Sequence, residues 1–426
     1  MPTNAAQNWS GHVRFGARRV HQPRSVEELA AVIAGAERVK VIGSRHCFND
    51  IADTPGELVW LGELGIDDGG VELAVDQATR TASFAAGATY GDICPAIDAA
   101  GLALRNLASL DHITVVGAAM SATHGSGDGL GNLATALTAV ELVDGSGALR
   151  RFSRAGDPER FPGVVVSLGA LGAVTKLTVD LVERFDLVQN MYADVPWEAI
   201  LADFDAVSSA GYSVSLFPTF QSEACERVLV KRQVTADGTR PAFPDTLAGG
   251  RLVDPGDIPP PMADRRRTPF DEPGPWHERL PHFTLLDPLA VGDELQSEYF
   301  VARHHAPDAL RAVAALRERL RPVLFVSEVR TMTGDDLWLS TAYGEDTVAI
   351  HFNWIKDAAG VAALLPDLEA ALEPFEARPH WGKLFAMDGA TLRSRYPRLG
   401  DFVELAREFD PSGRFRNAYL DRTVFG

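Results

Sequence analysis

Three stretches of this chain hold residues whose types and spacing could do chemistry. The first is Val41-Ile42-Gly43-Ser44-Arg45-His46-Cys47-Phe48-Asn49-Asp50, where a β-branched run ends in Gly and Ser and a histidine follows. Such a turn presents successive backbone N–H groups, which suits a pyrophosphate, and its imidazole is a nucleophile or ligand near neutral pH. The second is a pair of alternating segments, 323–330 and 348–354. Side chains two apart on a strand share a face. Glu328 and Arg330 therefore point one way, following Leu324 and Val326. His351 and Asn353 point away from Val348, Ile350, Phe352 and Trp354, which must be buried. The third is His380-Trp381-Gly382-Lys383. Lys, Arg, His and Glu converging on one surface would suit proton abstraction with stabilisation of developing negative charge. The strands alone also fit a solvated sheet face with an ordinary Glu–Arg pair.

A second glycine-rich stretch, 109–127, runs from Ser109 through Thr114, Gly117, Ser121, Ala122, Thr123 and His124 to Gly127, with Gly129 and Gly131 just beyond. So many small residues let a backbone lie against a ligand. There is no G-x-G-x-x-G between a strand and a helix and no Walker A sequence, which excludes a Rossmann or P-loop reading.

The elements that must position these groups are legible in outline. Ser25-Val26-Glu27-Glu28 reads as a capping box opening a helix that ends near Gly35, and Thr89 caps another that stops at Gly101. Strands are expected at 39–42, 58–61 and 174–182, with hairpins over 73–87 and 137–152. A strand at 295–301 precedes a helix over 306–320, and helices follow at 361–372 and 399–409 before an Asp410-Pro411-Ser412-Gly413 turn. Helices and strands mix without a regular βαβ beat, which favours α+β. The character changes around 185–196, where a domain boundary is placed. The Pro-rich span 241–275, with Pro259-Pro260-Pro261 and Arg265-Arg266-Arg267, reads as a surface excursion or lid.

A chain of 426 residues suggests two domains, one of them split in sequence. The net charge of −18 repels phosphate backbones and argues against a nucleic-acid role. Three scattered cysteines, Cys47, Cys94 and Cys225, make neither a disulfide framework nor a zinc site, so no metal is expected. No signal peptide or membrane-spanning run is read, and a cytoplasmic location is expected.

Several motifs together resemble one family: Gly43 to Asn49, Leu107-Ala108-Ser109-Leu110 with Gly117 to Gly127, Trp276 to Phe283, His380 to Lys383, and Asp410 to Asn417. Over essentially its whole length the chain resembles the bacterial alditol oxidases (xylitol or sorbitol oxidases) of the vanillyl-alcohol-oxidase superfamily. The resemblance implies an α+β fold, with a two-part FAD-binding domain over 1–186, an α+β cap over 187–378 and a C-terminal segment over 379–426 that completes the FAD domain. It implies FAD joined covalently through His46. Further cofactor contacts would come from Val41, Ile42, Gly43, Ser44, Arg45, Cys47, Ser109, Thr114, Gly117, Ser121, Ala122, Thr123, His124 and Val174. Substrate would meet Ser109, Glu328, Arg330, His351, Asn353 and Lys383, with Glu328, Arg330, His351 and Lys383 catalytic. The implied reaction takes the C1 hydroxyl of a polyol to an aldose and dioxygen to hydrogen peroxide, in a monomer. Sugar-1,4-lactone oxidation, or a polyol dehydrogenase passing electrons to another acceptor, are the alternatives. Asn353 stands where the family tends to carry Thr, and Cys47 where it tends to carry Ser.

Overall fold

The computed structural model describes residues 7–67, 70–259, 262, 264, 267–283 and 293–426. Its N-terminal part starts from helix Val26–Gly35, where the Ser25 hydroxyl accepts from Glu28 N at 3.2 Å. The Glu28 carboxylate accepts from Arg24 N rather than closing a reciprocal box. The helix packs through Leu29 and Ile33 onto Val39 and Val59. Strands Arg19–His21, Glu57–Trp60 and Val39–Ile42 form a parallel sheet with Glu57–Trp60 in the middle. Both hairpins read from the sequence are present, joined by strand Ala173–Asp180 in a five-stranded antiparallel sheet. Helix Tyr90–Ala99 carries a full capping box between Thr89 and Asp92.

A ten-stranded antiparallel sheet holds the middle of the chain. The stretch 185–196 contributes an eleven-residue strand, Asp186–Pro196, to its interior. The strands that matter for the site lie side by side in the order Ala224–Gln233, Ser213–Phe217, Leu324–Met332, Thr347–Ile355 and Glu294–Ala302. On one face Val348, Ile350, Phe352, Trp354 and Tyr299 are fully buried against helices Ala306–Ala315 and Ala358–Leu372. The expected helix 306–320 is two, broken between Ala315 and Arg317. One sequence expectation fails here: Leu324 does not share a face with Val326. A β-bulge between them pairs Leu324 with Trp354 and Val326 with Asn353, so Leu324 packs into the apolar layer and leaves Phe325 exposed. In the Pro-rich span, Met262, Asp264, Arg267, Thr268 and Phe270 border the large cavity described below, while Arg265, Arg266, Pro260 and Pro261 lie outside the described residues.

The C-terminal segment returns to the first part of the chain. Phe402, Phe409 and Tyr419 share a core with Phe84, Phe161 and Leu177. The Asn417 amide donates to the carbonyls of Asp50, Ile51 and Asp53 at 3.2, 3.0 and 2.8 Å, and its oxygen accepts from Leu420 N. Asn49 in turn donates to the carbonyls of Trp381 and Lys383, both at 2.8 Å, and Phe48 N donates to Gly382 O at 2.7 Å. These bonds fix the distance between the His46 loop and Lys383. Asn417→Ala strands several buried backbone groups at once. Stability should fall by about 1–3 kcal/mol, read from the denaturation midpoint.

Candidate active site

The uncovered face of the ten-stranded sheet floors a cavity of about 940 Å³, at the upper end of the range for small-molecule sites. Register sets its chemistry. Across three adjacent strands, Glu298 stands opposite His351 and His351 opposite Glu328. The neighbouring rows are Gln296–Asn353–Val326 and Phe300–Ala349–Arg330. Ala349 offers only a methyl group in the middle of its row. The Arg330 guanidinium therefore crosses the central strand and donates to Glu298 Oε1 at 2.7 Å.

Glu298, 2 % exposed, is the hub. It also meets His124 Nε2 at 3.0 Å and lies 3.4 Å from His351 Nδ1. The His124 Nδ1 lies 2.8 Å from the Gly125 carbonyl. Burial would raise the Glu298 pKa, but His124, His351 and Arg330 overcome it and hold the carboxylate well below its usual range. Glu328 accepts from His282 Nε2 at 2.8 Å and lies 3.7 Å from Arg330 Nε. Burial is likewise outweighed there by Arg330 and His282, and Glu328 stays ionised. The close partner of Arg330 is thus Glu298 rather than Glu328, its neighbour in sequence. His351 Nε2 meets the Asn353 amide oxygen at 3.0 Å. Lys383 reaches Gln296 Oε1 and lies 4.9 Å over the Phe48 ring. Burial lowers its pKa, so it gives up a proton more readily than a solvated amine.

The other wall comes from the two small-residue loops. His46 stacks on Trp9 with ring centroids 4.8 Å apart and meets His112 Nε2 through its own Nε2 at 2.8 Å. Burial first, then His112, Lys383 and Arg45, pull its pKa far down, so the imidazole is neutral and keeps a lone pair. A Cβ on Gly43 would come within 2.2 Å of Thr114 Oγ1, so only glycine lets the two loops meet. Arg45 and Ala122 both hold left-handed backbone, φ 64° and 56°, strain of the kind that accumulates in ligand-binding loops. The buried thiol of Cys47 is pushed up to about 11 and stays protonated.

Every residue read from the sequence as a site residue lines this one cavity except Ala122. Ala122 is fully buried behind its loop, and its left-handed turn brings Ser121 and Thr123 to the wall instead. Glu298, Gln296 and His282 line the cavity too, and sequence reasoning missed them. The signal for Glu298 and Gln296 was the same two-residue alternation, in a strand already recognised. His282 is held by a loop contact that no periodicity encodes.

An FAD binding domain family matches residues 17–153, and the D-arabinono-1,4-lactone oxidase family matches residues 293–423. The alditol oxidase of a Streptomyces species is 44 % identical over 98 % of both chains. This chain belongs to the alditol oxidase family. It is an FAD-dependent oxidoreductase. The L-gulono-1,4-lactone dehydrogenase of Mycobacterium tuberculosis is 29 % identical and mouse L-gulonolactone oxidase 25 %, each over 98 % of both chains. The fold matches the cholesterol oxidase of B. sterolicum with a TM-score of 0.77 at 14 % identity, covering 98 % of this chain and 96 % of that one. The α+β architecture of this alditol oxidase family member is therefore that of the vanillyl-alcohol-oxidase type.

One cavity-lining group titrates unusually. Lys40 is 2 % exposed, with its Nζ 3.4 and 3.2 Å from the carbonyls of Leu168 and Gly169. Burial lowers its pKa to about 7 against attraction from Asp410. An unfolded lysine titrates near 10.5, so between about pH 7 and 10.5 the unfolded chain holds the extra proton and raising the pH favours the fold. Lys40→Met should remove about 1.4 kcal/mol per pH unit from the slope of stability in that window, measured by denaturation at successive pH values.

Proposed function

We propose that this protein oxidises the terminal C1 hydroxyl of alditols such as xylitol and sorbitol to the aldose, with dioxygen reduced to hydrogen peroxide. The observation carrying this reading is one cavity that joins Glu328, Arg330, His351, Asn353 and Lys383 on its floor to His46 and the 109–124 loop on its wall. FAD fits what is present: two loops in strained left-handed turns for a diphosphate, and buried polar atoms without hydrogen-bond partners at Arg330 Nε and His282 Nδ1. Residues 41–47, Ser109, Thr114, Gly117, Ser121, Thr123, His124 and Val174 would hold it. We also assign 1–186 with 379–426 to the FAD-binding part and 187–378 to the cap, a division the two largest apolar cores follow in the main, although Trp276, Leu280 and Leu337 to Leu339 of the cap span pack into the core of the FAD-binding part.

When bound there, FAD would supply hydride-accepting chemistry with dioxygen as the final oxidant. The protein's own contribution starts with His351, which takes the hydroxyl proton. Glu298 stands 3.4 Å behind Nδ1 and orients the ring. Lys383, made less basic by burial, holds the hydroxyl oxygen and shares the proton. Arg330, locked to Glu298, would offer fixed positive charge to negative charge developing in the cavity. Ser109 and Asn353 take further hydroxyls, and an alcohol lacking them leaves buried polar groups unpaired. Asn353 reaches farther than the threonine expected in the family, which favours a shorter or differently seated chain. The neutral His46, its Nε2 engaged by His112, keeps Nδ1 for the link to the cofactor.

The D-arabinono-1,4-lactone oxidase match over 293–423 makes a sugar lactone the second reading. Peroxide release decides between them: xylitol should give turnover and L-gulono-1,4-lactone little. His46→Ala should release all its flavin on acid denaturation, whereas the unmodified protein keeps it on the precipitate. Lys383→Met should lower kcat with xylitol by about 10²–10⁴-fold, the usual scale for a proton-transfer group. Full turnover in that variant would remove Lys383 from the reaction.

A further inference from the structure

Arg227 lines the cavity and has no part in this chemistry. Arg227 stands opposite Phe217 in the sheet. Leu216 stands opposite Val329, which puts Phe217 beside Glu328, and the row continues to His351 and Glu298. Arg227, Phe217, Glu328, His351 and Glu298 thus form one line across five adjacent strands. Strands lie ~4.8 Å apart, so the backbone of Arg227 is ~14 Å from that of His351. Its guanidinium rests on the Phe217 ring, 5.5 Å from the centroid, one strand nearer the reacting end. That leaves about two strand spacings, ~10 Å, the reach of a five- or six-carbon chain with its terminal groups.

The charge of Arg227 is uncommitted. Arg330 is paired with Glu298, and Lys383 is held by Gln296. Among the described residues Arg227 has neither a hydrogen bond nor an ion pair from its side chain; the Phe217 face holds it, and Glu226 beside it in sequence attracts it only at longer range. The adjacent carboxylate of Glu226 is taken by Thr219 N at 2.9 Å and the Thr219 hydroxyl. The other charged groups lining the cavity away from the reacting end are Arg267, 4.8 Å over the Phe283 ring, and Asp264, with Glu294 on the strand that carries Gln296. A half-buried guanidinium with its fork free is a strong receptor for a carboxylate or phosphate and a weaker one for a neutral hydroxyl.

We propose that Arg227 is an anion subsite for the end of the substrate remote from the oxidised carbon, so that the enzyme takes polyols terminated by a carboxylate or a phosphate. The proposal rests on the alditol-oxidising reading of the same cavity. It is tested with xylitol, xylonate and xylitol 5-phosphate, comparing kcat/KM at constant ionic strength. At least one of the two anions should exceed xylitol by ~10-fold or more, mostly through KM, the scale of a charge-assisted hydrogen bond. Which anion wins tells carboxylate from phosphate. In Arg227→Met the anion-to-xylitol ratio should collapse to one or below, and Arg227→Lys should restore part of it. Inorganic sulfate should compete with xylitol in the unmodified enzyme at least ~10-fold more strongly than in Arg227→Met. Anions no better than xylitol, or a ratio indifferent to both substitutions, would overturn the subsite and leave alditol oxidation standing. No turnover of xylitol or either anion would overturn the alditol reading itself.

Discussion

A carboxylate with almost no contact with water sits at the centre of this site, and the surrounding geometry follows from satisfying it. Removing Glu298 from solvent is costly unless opposite charge and hydrogen-bond donors surround it. Three groups do so from three parts of the chain: His124 from the small-residue loop, Arg330 from one strand and His351 from the strand between. Each is thereby held in one orientation. The arrangement is mutual, because any one of them left alone would be an unpaired buried charge or donor.

Such a hub needs a rigid floor, and the sheet provides it through asymmetry. Its covered face is a continuous apolar layer of Val348, Ile350, Phe352 and Trp354 against two helices, which holds the register. Once register is fixed, the polar side chains of the other face fall into rows whose members meet only laterally. Residue size within a row then decides reach. Ala349 is small enough to let Arg330 cross to Glu298, and the bulge at Phe325 ends the polar pattern at the cavity rim. The opposite wall depends on hydrogen bonds that close long loops, with Asn49 and Asn417 tying the first fifty residues to the last fifty. The relation between His46 and Lys383 is therefore a property of the whole fold.

Much of this was present in the order of the residues. Period-two alternation put Glu328 and Arg330 on one side of 323–330, and in 348–354 put His351 and Asn353 on one side and their apolar neighbours on the other, because a strand offers only two faces. Caps at Ser25 and Thr89, the two hairpins and the turn at Asp410 are local, so their signals are local too. The glycine-rich loops announced a backbone brought close to something, and the combined motifs pointed to the family.

What the sequence could not decide is which faces meet. Nothing in it says that Glu298 lies opposite His351, or that Arg330 turns to Glu298 instead of Glu328, since pairing between distant strands is set by packing of the far face. Nor does it tell Ala122 from Ser121 and Thr123, because a positive φ in a non-glycine residue leaves no compositional mark. The break in helix 306–320 and the bulge after Leu324 likewise left no mark that the sequence reading used. Chemistry was legible one strand at a time, and its assembly into a site was settled only when long-range register placed those strands side by side.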